Sequence, residues 1–192
     1  DPDWSRGLGD VYKRQLGISP KAFKVISEKK DLNRYPDGNA TSFKEVVSQI
    51  EKIKTSMITV GNGSNDLIEF VSKCFLSEGD NAIYSQHGFA IYPLAIKSTG
   101  AKAIKAKARD WGHDLNLMKD LVDENTKVIF LATPNNPTGT VLESSDIEEF
   151  LEAIPSNIAV FVDQAYFEYI EEDKYKISFD LVKKYKLSLI HI

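Results

Sequence analysis

The chain has 192 residues, of which 42% are hydrophobic and 27% charged, and its net charge is -4. This composition predicts a soluble globular protein, and the negative charge argues against a nucleic-acid partner, which would require a basic face. No apolar run reaches the length of a membrane span, and no signal peptide is expected. The single cysteine, Cys74, excludes an internal disulfide and fits a reducing cytoplasm.

Helices and strands are predicted to alternate along most of the chain. The first helix begins at Ser19-Pro20, where a serine cap precedes a proline, and is expected to end near Lys30; a second is capped by Thr41 or Ser42. Strands are predicted at 57–60, 82–84, 101–108, 127–132 and 158–162. Further helices are predicted at 66–76, 89–98, 115–122, after the cap Ser144-Ser145, and at 177–185. We expect Cys74 to lie on the buried face of its helix.

The alternation indicates an α/β fold with three αβα layers and a mainly parallel sheet. The run 158–162 is apolar and rich in β-branched residues, as in a strand buried on both faces. Asp163 follows this run directly and therefore lies at the carboxyl edge of the sheet, where open α/β sheets bind their ligands. A buried carboxylate there is costly unless a cation meets it, although Asp163 could also be a simple cap after a core strand.

Three further features follow predicted strands. The turn 61–64, Gly-Asn-Gly-Ser, precedes a helix, where free backbone N–H groups and the helix dipole favour a phosphate. Phe89 could cover a flat ring, or simply belong to the core. The loop 133–139 carries two prolines and a glycine, and Pro137 restricts Asn136 to extended backbone angles, which aims its amide. A plain glycine turn and an ordinary polar loop remain alternatives for the first and third features.

Taken together with Asp163 and Tyr166, these features suit one ligand. It would have a phosphate for the helix end, a flat ring for Phe89, a phenolate oxygen for Asn136 and Tyr166, and a basic ring nitrogen for Asp163. Pyridoxal 5'-phosphate has all four groups. Its chemistry also needs the carboxylate, because the protonated ring nitrogen makes the cofactor an electron sink.

Five segments of the chain carry a family resemblance: 16–20 (LGISP), 32–37 (LNRYPD), 61–64 (GNGS), 135–139 (NNPTG) and 163–166 (DQAY). In order and spacing they resemble the fold-type I pyridoxal-phosphate aminotransferases of class I/II, and within these the histidinol-phosphate aminotransferase branch. The resemblance covers residues 16–186. It implies the large cofactor-binding domain of that fold and the cofactor pyridoxal 5'-phosphate.

The resemblance also implies roles for individual residues. Asp163, Asn136 and Tyr166 are the expected catalytic residues, with Asp163 paired to the ring nitrogen and the other two bonded to the phenolate oxygen. The expected cofactor-binding residues are Gly63, Ser64, Asn65, Phe89, Asn136, Asp163, Tyr166 and, from the neighbouring subunit of a homodimer, Tyr35. The implied reaction moves an amino group between glutamate/2-oxoglutarate and imidazole-acetol phosphate/histidinol phosphate, in cytoplasmic histidine biosynthesis.

The chain departs from the family pattern in three places. Asn65-Asp66 replaces an acidic pair, and Tyr12-Lys13-Arg14-Gln15 stands where Asn-Glu-Asn-Pro is expected. The lysine that forms the Schiff base is not found, because Lys183, Lys184 and Lys186 do not match its loop and are interpreted as surface residues. We therefore expect an incomplete cofactor-binding domain at 16–186, flanked by non-matching segments at 1–15 and 187–192, and inactive alone.

Other functions remain open at this stage. The same cofactor site would serve an aromatic-amino-acid aminotransferase or a threonine-phosphate decarboxylase, with other amino-acid and keto-acid substrates. A non-catalytic relic that binds the cofactor weakly is a further alternative. His87 and His113 lie in predicted turns without metal-ligand spacing, so no metal site is expected.

Overall fold

The computed structural model describes residues 17–29, 33–175, 179–185 and 188–191. The chain divides into two compact units, Asp1–Thr41 and Ser42–Ile192. In the first unit, helix α1 spans Pro20–Ser27, and the Ser19 hydroxyl accepts a hydrogen bond from the Ala22 N–H at 3.2 Å. The predicted serine cap is therefore confirmed. The expected segment 1–15 lies outside the described residues.

The second unit contains the sheet and the helices that cover it. Its helices are α2 (Thr41–Glu51), α3 (Ser64–Phe75), α4 (Ile91–Ser98), α5 (Leu115–Asp120), α6 (Ser144–Ala153) and α7 (Asp180–Lys184). Its strands are β1 (Asn81–Ser85), β2 (Lys102–Ala106), β3 (Thr126–Ala132), β4 (Ala159–Asp163) and β5 (Ser188–His191). Short 3-10 turns occur at Thr55–Met57, Phe167–Tyr169 and Asp173–Tyr175.

The five strands form one parallel sheet in the order β2-β1-β3-β4-β5. Because all strands run the same way, their carboxyl ends share one edge. Ala132, the last residue of β3, is in register with Asp163, the last residue of β4. The loops that follow β1, β3 and β4 therefore begin side by side, as expected for the ligand-binding edge of such a sheet.

Both faces of the sheet are covered by helices, which confirms the predicted αβα layers. On one face, α3 and α4 pack against alternate residues of the central strands, including Val128, Phe130 and Phe161. On the other face, α5, α6 and α7 pack against Ile129, Leu131 and their neighbours. The central strands β3 and β4 are buried almost throughout, since both of their faces are used.

Three local predictions are wrong. Residues 57–60 do not form a strand; Thr55–Met57 is a 3-10 turn, and no strand edge pairs with the short segment that follows. Cys74 is exposed, because α3 buries Ile68 and Ser72, and a residue two positions further along a helix points to the opposite side. Helix α6 begins at Ser144 itself, and the residue at its cap, Glu143, makes no side-chain cap bond.

The expected non-matching segment 187–192 includes β5, whose backbone pairs in parallel with β4. Among the helices that the structure describes, none has both the length and the apolar character needed to cross a membrane.

Candidate active site

Asp163 lies at the carboxyl end of β4 and is only 5% exposed. Its Oδ2 accepts a hydrogen bond from the Tyr92 hydroxyl at 2.8 Å, and its Oδ1 accepts one from the Ala165 N–H at 3.0 Å. Its backbone carbonyl accepts the Thr133 N–H at 2.9 Å, which holds the start of the loop after β3 against the end of β4. Both oxygens of this buried carboxylate are thus oriented by fixed donors.

The loop after β3 is held by its own polar groups. The Asn135 side-chain amide donates to the His87 carbonyl at 3.0 Å and to the Thr138 hydroxyl at 2.7 Å. The Asn135 N–H donates to the Thr140 carbonyl, and the Asn135 carbonyl accepts the Gly139 N–H, both at 2.8 Å, so the loop is closed by two backbone hydrogen bonds. The peptide bonds that precede Pro134 and Pro137 are both cis. Asn136, within this loop, lines the cleft described below.

The turn before α3 is built around glycines. Gly63 has φ +78° and ψ −173°, a backbone conformation that is almost exclusive to glycine. A Cβ at Gly61 would stand 2.8 Å from the Asp66 Cβ, so the turn closes tightly on the first turn of the helix. The Asp66 carboxylate accepts the Asn62 N–H at 2.8 Å. The Gly63 N–H donates to the Gly61 carbonyl at 2.9 Å. The N–H groups of Ser64 and Asn65 lie in the first turn of the helix, where the helix itself supplies no acceptor.

One cleft brings together predicted site residues from the loops after β1, β3 and β4, from the end of β4 and from the start of α3. It has a volume of about 60 Å³ and is lined by Ser64, Phe89, Tyr92, Ala132, Pro134, Asn136, Asp163, Ala165 and Tyr166. Five of the eight predicted cofactor-binding residues line it. Gly63 and Asn65 are exposed at the adjoining turn, whereas Tyr35 belongs to the first unit, where its side chain is fully exposed.

A larger cavity of about 340 Å³ lies between α5 and α6, but none of the predicted site residues lines it. Its walls mix positive charges, Arg109 and Lys119, with negative ones, Asp146 and Glu149. We place the candidate site at the smaller cleft, because the loops that follow β1, β3 and β4 converge there. In the described part of the chain, no group of three or more His, Cys, Asp or Glu side chains could hold a metal ion.

Two residues of this region were missed by the sequence analysis. Tyr92, on α4, is fully buried and bonds Asp163, yet its position in the sequence is that of an ordinary core aromatic. His113 accepts the Ala132 N–H on its Nε2 at 2.8 Å, directly before the loop that carries Asn136. Burial lowers the pKa of His113 from 6.5 to about 4, so that the imidazole is neutral and able to accept.

The donor set around the cleft fits pyridoxal 5'-phosphate. Asp163 offers a buried carboxylate to a basic ring nitrogen, half-buried Phe89 offers a flat face, and the start of α3 offers free N–H groups to a phosphate. Among the described residues, no atom outside Gly63 and its two chain neighbours lies within 4 Å of the position of a Cβ at Gly63, so the turn is open on that side. The cleft would hold only part of the cofactor, and the rest would lie over the exposed turn.

The lysines near the end of the chain are engaged elsewhere. Lys184 donates to Glu148 and Glu152, both at 3.2 Å, and Lys183 pairs with Asp180 at 2.7 Å. These pairs are solvent-exposed, as predicted for Lys183 and Lys184. Lys186 lies outside the described residues. Among the described residues no lysine lines the cleft.

Sequence comparison identifies the family. The profile described as "Aminotransferase class I and II" matches residues 10–190. The chain belongs to this aminotransferase family. It is 42% identical over 176 residues to histidinol-phosphate aminotransferase 2 of Pseudomonas fluorescens, a match that covers 91% of the chain and 48% of that protein. It is 44% identical over 185 residues to histidinol-phosphate aminotransferase 1 of Idiomarina loihiensis, covering 93% of the chain and 50% of that protein.

Solved structures agree with this aminotransferase assignment at the level of the fold. The histidinol-phosphate aminotransferase of Sinorhizobium meliloti, crystallised with pyridoxal-5'-phosphate, superposes with a TM-score of 0.86 at 19% identity, covering 91% of the chain and 48% of that structure. The putative histidinol-phosphate aminotransferase of Erwinia carotovora gives 0.84 at 24% identity, covering 91% and 52%. The chain thus spans about half the length of the relatives it matches.

Proposed function

We propose that the chain is a cofactor-binding part of a pyridoxal-phosphate aminotransferase that acts on histidinol phosphate. The observation that carries the proposal is the cleft, where Ser64, Asn136 and Asp163 meet although they lie far apart in the sequence. The choice of substrate rests on the relatives above 40% identity that are named histidinol-phosphate aminotransferases. The amino group would pass between glutamate/2-oxoglutarate and imidazole-acetol phosphate/histidinol phosphate.

Each residue of the cleft has a distinct task in this proposal. The N–H groups at the start of α3 bind the phosphate, where the helix dipole favours negative charge. Phe89 covers the ring, and Tyr166 and Asn136 donate hydrogen bonds to the phenolate oxygen. Gly63 allows the backbone to approach the phosphate closely, because it needs no room for a side chain.

Asp163 performs the task on which the chemistry depends. When bound, pyridoxal phosphate supplies a ring that can accept electrons from the substrate's reacting carbon. Asp163 holds a proton at the ring nitrogen, and it can do so because its burial removes competing water while two donors fix its oxygens. A charge-assisted hydrogen bond of this kind is stronger than a neutral one.

We also propose that the full-length protein is a cytoplasmic homodimer in which Tyr35 reaches the partner's cofactor phosphate. The complete exposure of the Tyr35 side chain leaves it available to another subunit. The single cysteine fits a compartment in which thiols stay reduced.

The proposed role of Asp163 is tested with pyridoxamine 5'-phosphate, which has the ring, the phosphate and the phenol but no reactive aldehyde. Its fluorescence is titrated with the chain, with Asp163→Asn and with Asp146→Asn, which makes the same change at the larger cavity. We expect saturable binding that is about 10- to 100-fold weaker in Asp163→Asn, because a hydrogen bond to a charged group contributes about 1.5–3 kcal/mol. Equal binding by all three proteins would overturn the proposal.

The substrate is tested separately, in the protein extended to the length of its relatives. Histidinol phosphate, aromatic amino acids and threonine phosphate are compared as substrates by kcat/KM. We expect a clear preference for histidinol phosphate as amino donor, and a preference for an aromatic amino acid would reassign the substrate while leaving the cofactor site in place.

A further inference from the structure

Among the described residues, Tyr92 has the largest fully buried side chain, and it also forms part of the wall of the cleft. Its ring stacks on Phe130 of β3, with centroids 4.9 Å apart and planes 15° from parallel. Phe89 meets it edge-on, with centroids 5.9 Å apart. A Cβ at Gly88 would lie only 3.4 Å from the Tyr92 ring, so the backbone before α4 also closes on it. The ring therefore has one fixed position.

This position brings the Tyr92 hydroxyl to Asp163. The hydroxyl donates to Oδ2 at 2.8 Å, within the buried interior, while the Ala165 N–H occupies Oδ1. Phe130, Phe89 and the backbone at Gly88 hold the Tyr92 ring in place. If the Asp163 carboxylate rotates, the phenol cannot move with it. The carboxylate must instead keep the orientation in which it meets the phenol.

The chemistry of the pair gives the hydrogen bond one direction. Burial, followed by the charge of Asp163 and the bond to it, raises the pKa of the Tyr92 phenol well above its usual value. The phenol therefore keeps its proton and donates it. A carboxylate oxygen that accepts a hydrogen bond attracts a neighbouring protonated nitrogen less strongly than one without that donor.

We propose that Tyr92 is a positioning residue for Asp163, which fixes the direction of the carboxylate and moderates its hold on a proton at the ligand's ring nitrogen. The inference rests on the proposed function, since it requires a ligand with a basic ring nitrogen in the cleft. It adds a residue on α4 that no cofactor motif of the sequence contains. Tyr92 acts through Asp163, to which its hydroxyl is bonded.

The test compares the chain with Tyr92→Phe, which removes one oxygen and keeps the ring that packs on Phe130. Tyr84→Phe is the matched control, because Tyr84 packs partly buried on the same face of the sheet. Pyridoxamine 5'-phosphate labelled with ¹⁵N in the ring is bound to each protein. The ring-nitrogen resonance is then followed with pH, and affinity is measured at each pH.

We expect Tyr92→Phe to raise the pH at which the bound ring nitrogen loses its proton by about one unit, with no change in Tyr84→Phe. In the Asp163→Asn background, Tyr92→Phe should cause no further shift. A purely structural role would weaken binding equally at every pH and leave the midpoint unchanged, which would overturn the inference alone. Absence of saturable binding by the unaltered chain would overturn the proposed function and the role of Tyr92 together.

Discussion

His113 should make the stability of the domain depend on pH below neutrality. Its Nε2 accepts the Ala132 N–H at the end of β3, and an imidazolium has no lone pair for that bond. Burial lowers its pKa from 6.5 to about 4, so the folded chain disfavours the protonated form. Between these two values the unfolded chain binds the proton more readily than the folded one. Stability is therefore complete above pH 6.5 and falls as the pH is lowered toward 4.

The size of the effect follows from the shift in pKa. The interval from 6.5 to about 4 is about 2.5 pH units, and each unit corresponds to about 1.4 kcal/mol. The full loss is thus roughly 3.5 kcal/mol, a large part of the stability of an ordinary domain. The side chain is only 9% exposed, so solvent screening removes little of it.

Urea unfolding followed by circular dichroism, from pH 7.5 to 4.5, measures the effect in the chain and in His113→Gln. Glutamine can accept the same N–H but does not titrate. The pH profile of the variant therefore shows the contribution of all other acid-titrating groups, and the difference between the two profiles shows that of His113. The free energy of unfolding should fall more steeply in the unaltered chain, with most of the predicted difference present at pH 4.5. Parallel pH profiles would refute the assignment of a neutral, buried His113.

Two further predictions concern the cleft. Gly63→Ala should cost about 1–3 kcal/mol of stability and weaken pyridoxamine 5'-phosphate binding, because φ is +78° there. Gly79→Ala, at φ +97°, should cost stability without weakening binding; loss of affinity in both variants would contradict a specific role for Gly63. Incubation with pyridoxal phosphate, borohydride reduction and mass-spectrometric mapping should show no stoichiometric label on one lysine, since no described lysine lines the cleft. A single fully labelled lysine would place a nucleophile in this chain.

Much of the sheet could be predicted because its central strands are buried on both faces. Such strands require uninterrupted apolar runs, and 128–132 and 158–162 are of this kind, ending next to Thr133 and Asp163. The cleft followed from the same reasoning, since parallel strands deliver their carboxyl ends to one edge. The turn residues that surround the cleft stand in fixed sequence patterns, which local reasoning can recognise.

The remaining features depend on tertiary neighbours. Cys74 and Ser72 are both compatible with a helix, and only the packing of α3 decided that Ser72 faces the sheet. The segment 57–60 has residues suited to a strand but no neighbouring edge to pair with. Tyr92 has the pattern of a core aromatic, and its role depends on an acceptor supplied by a distant strand.

The Tyr92–Asp163 hydrogen bond joins residues 71 positions apart. β2, β3 and the helices that connect the strands lie between them in the sequence, and Asp163 ends β4, so the bond forms only when these elements are in place. Contacts of such long range are expensive to close during folding. The cleft is therefore formed only in the folded domain. A ligand that fills it would bind the folded chain and not the unfolded one, and the unfolding midpoint should rise with ligand concentration.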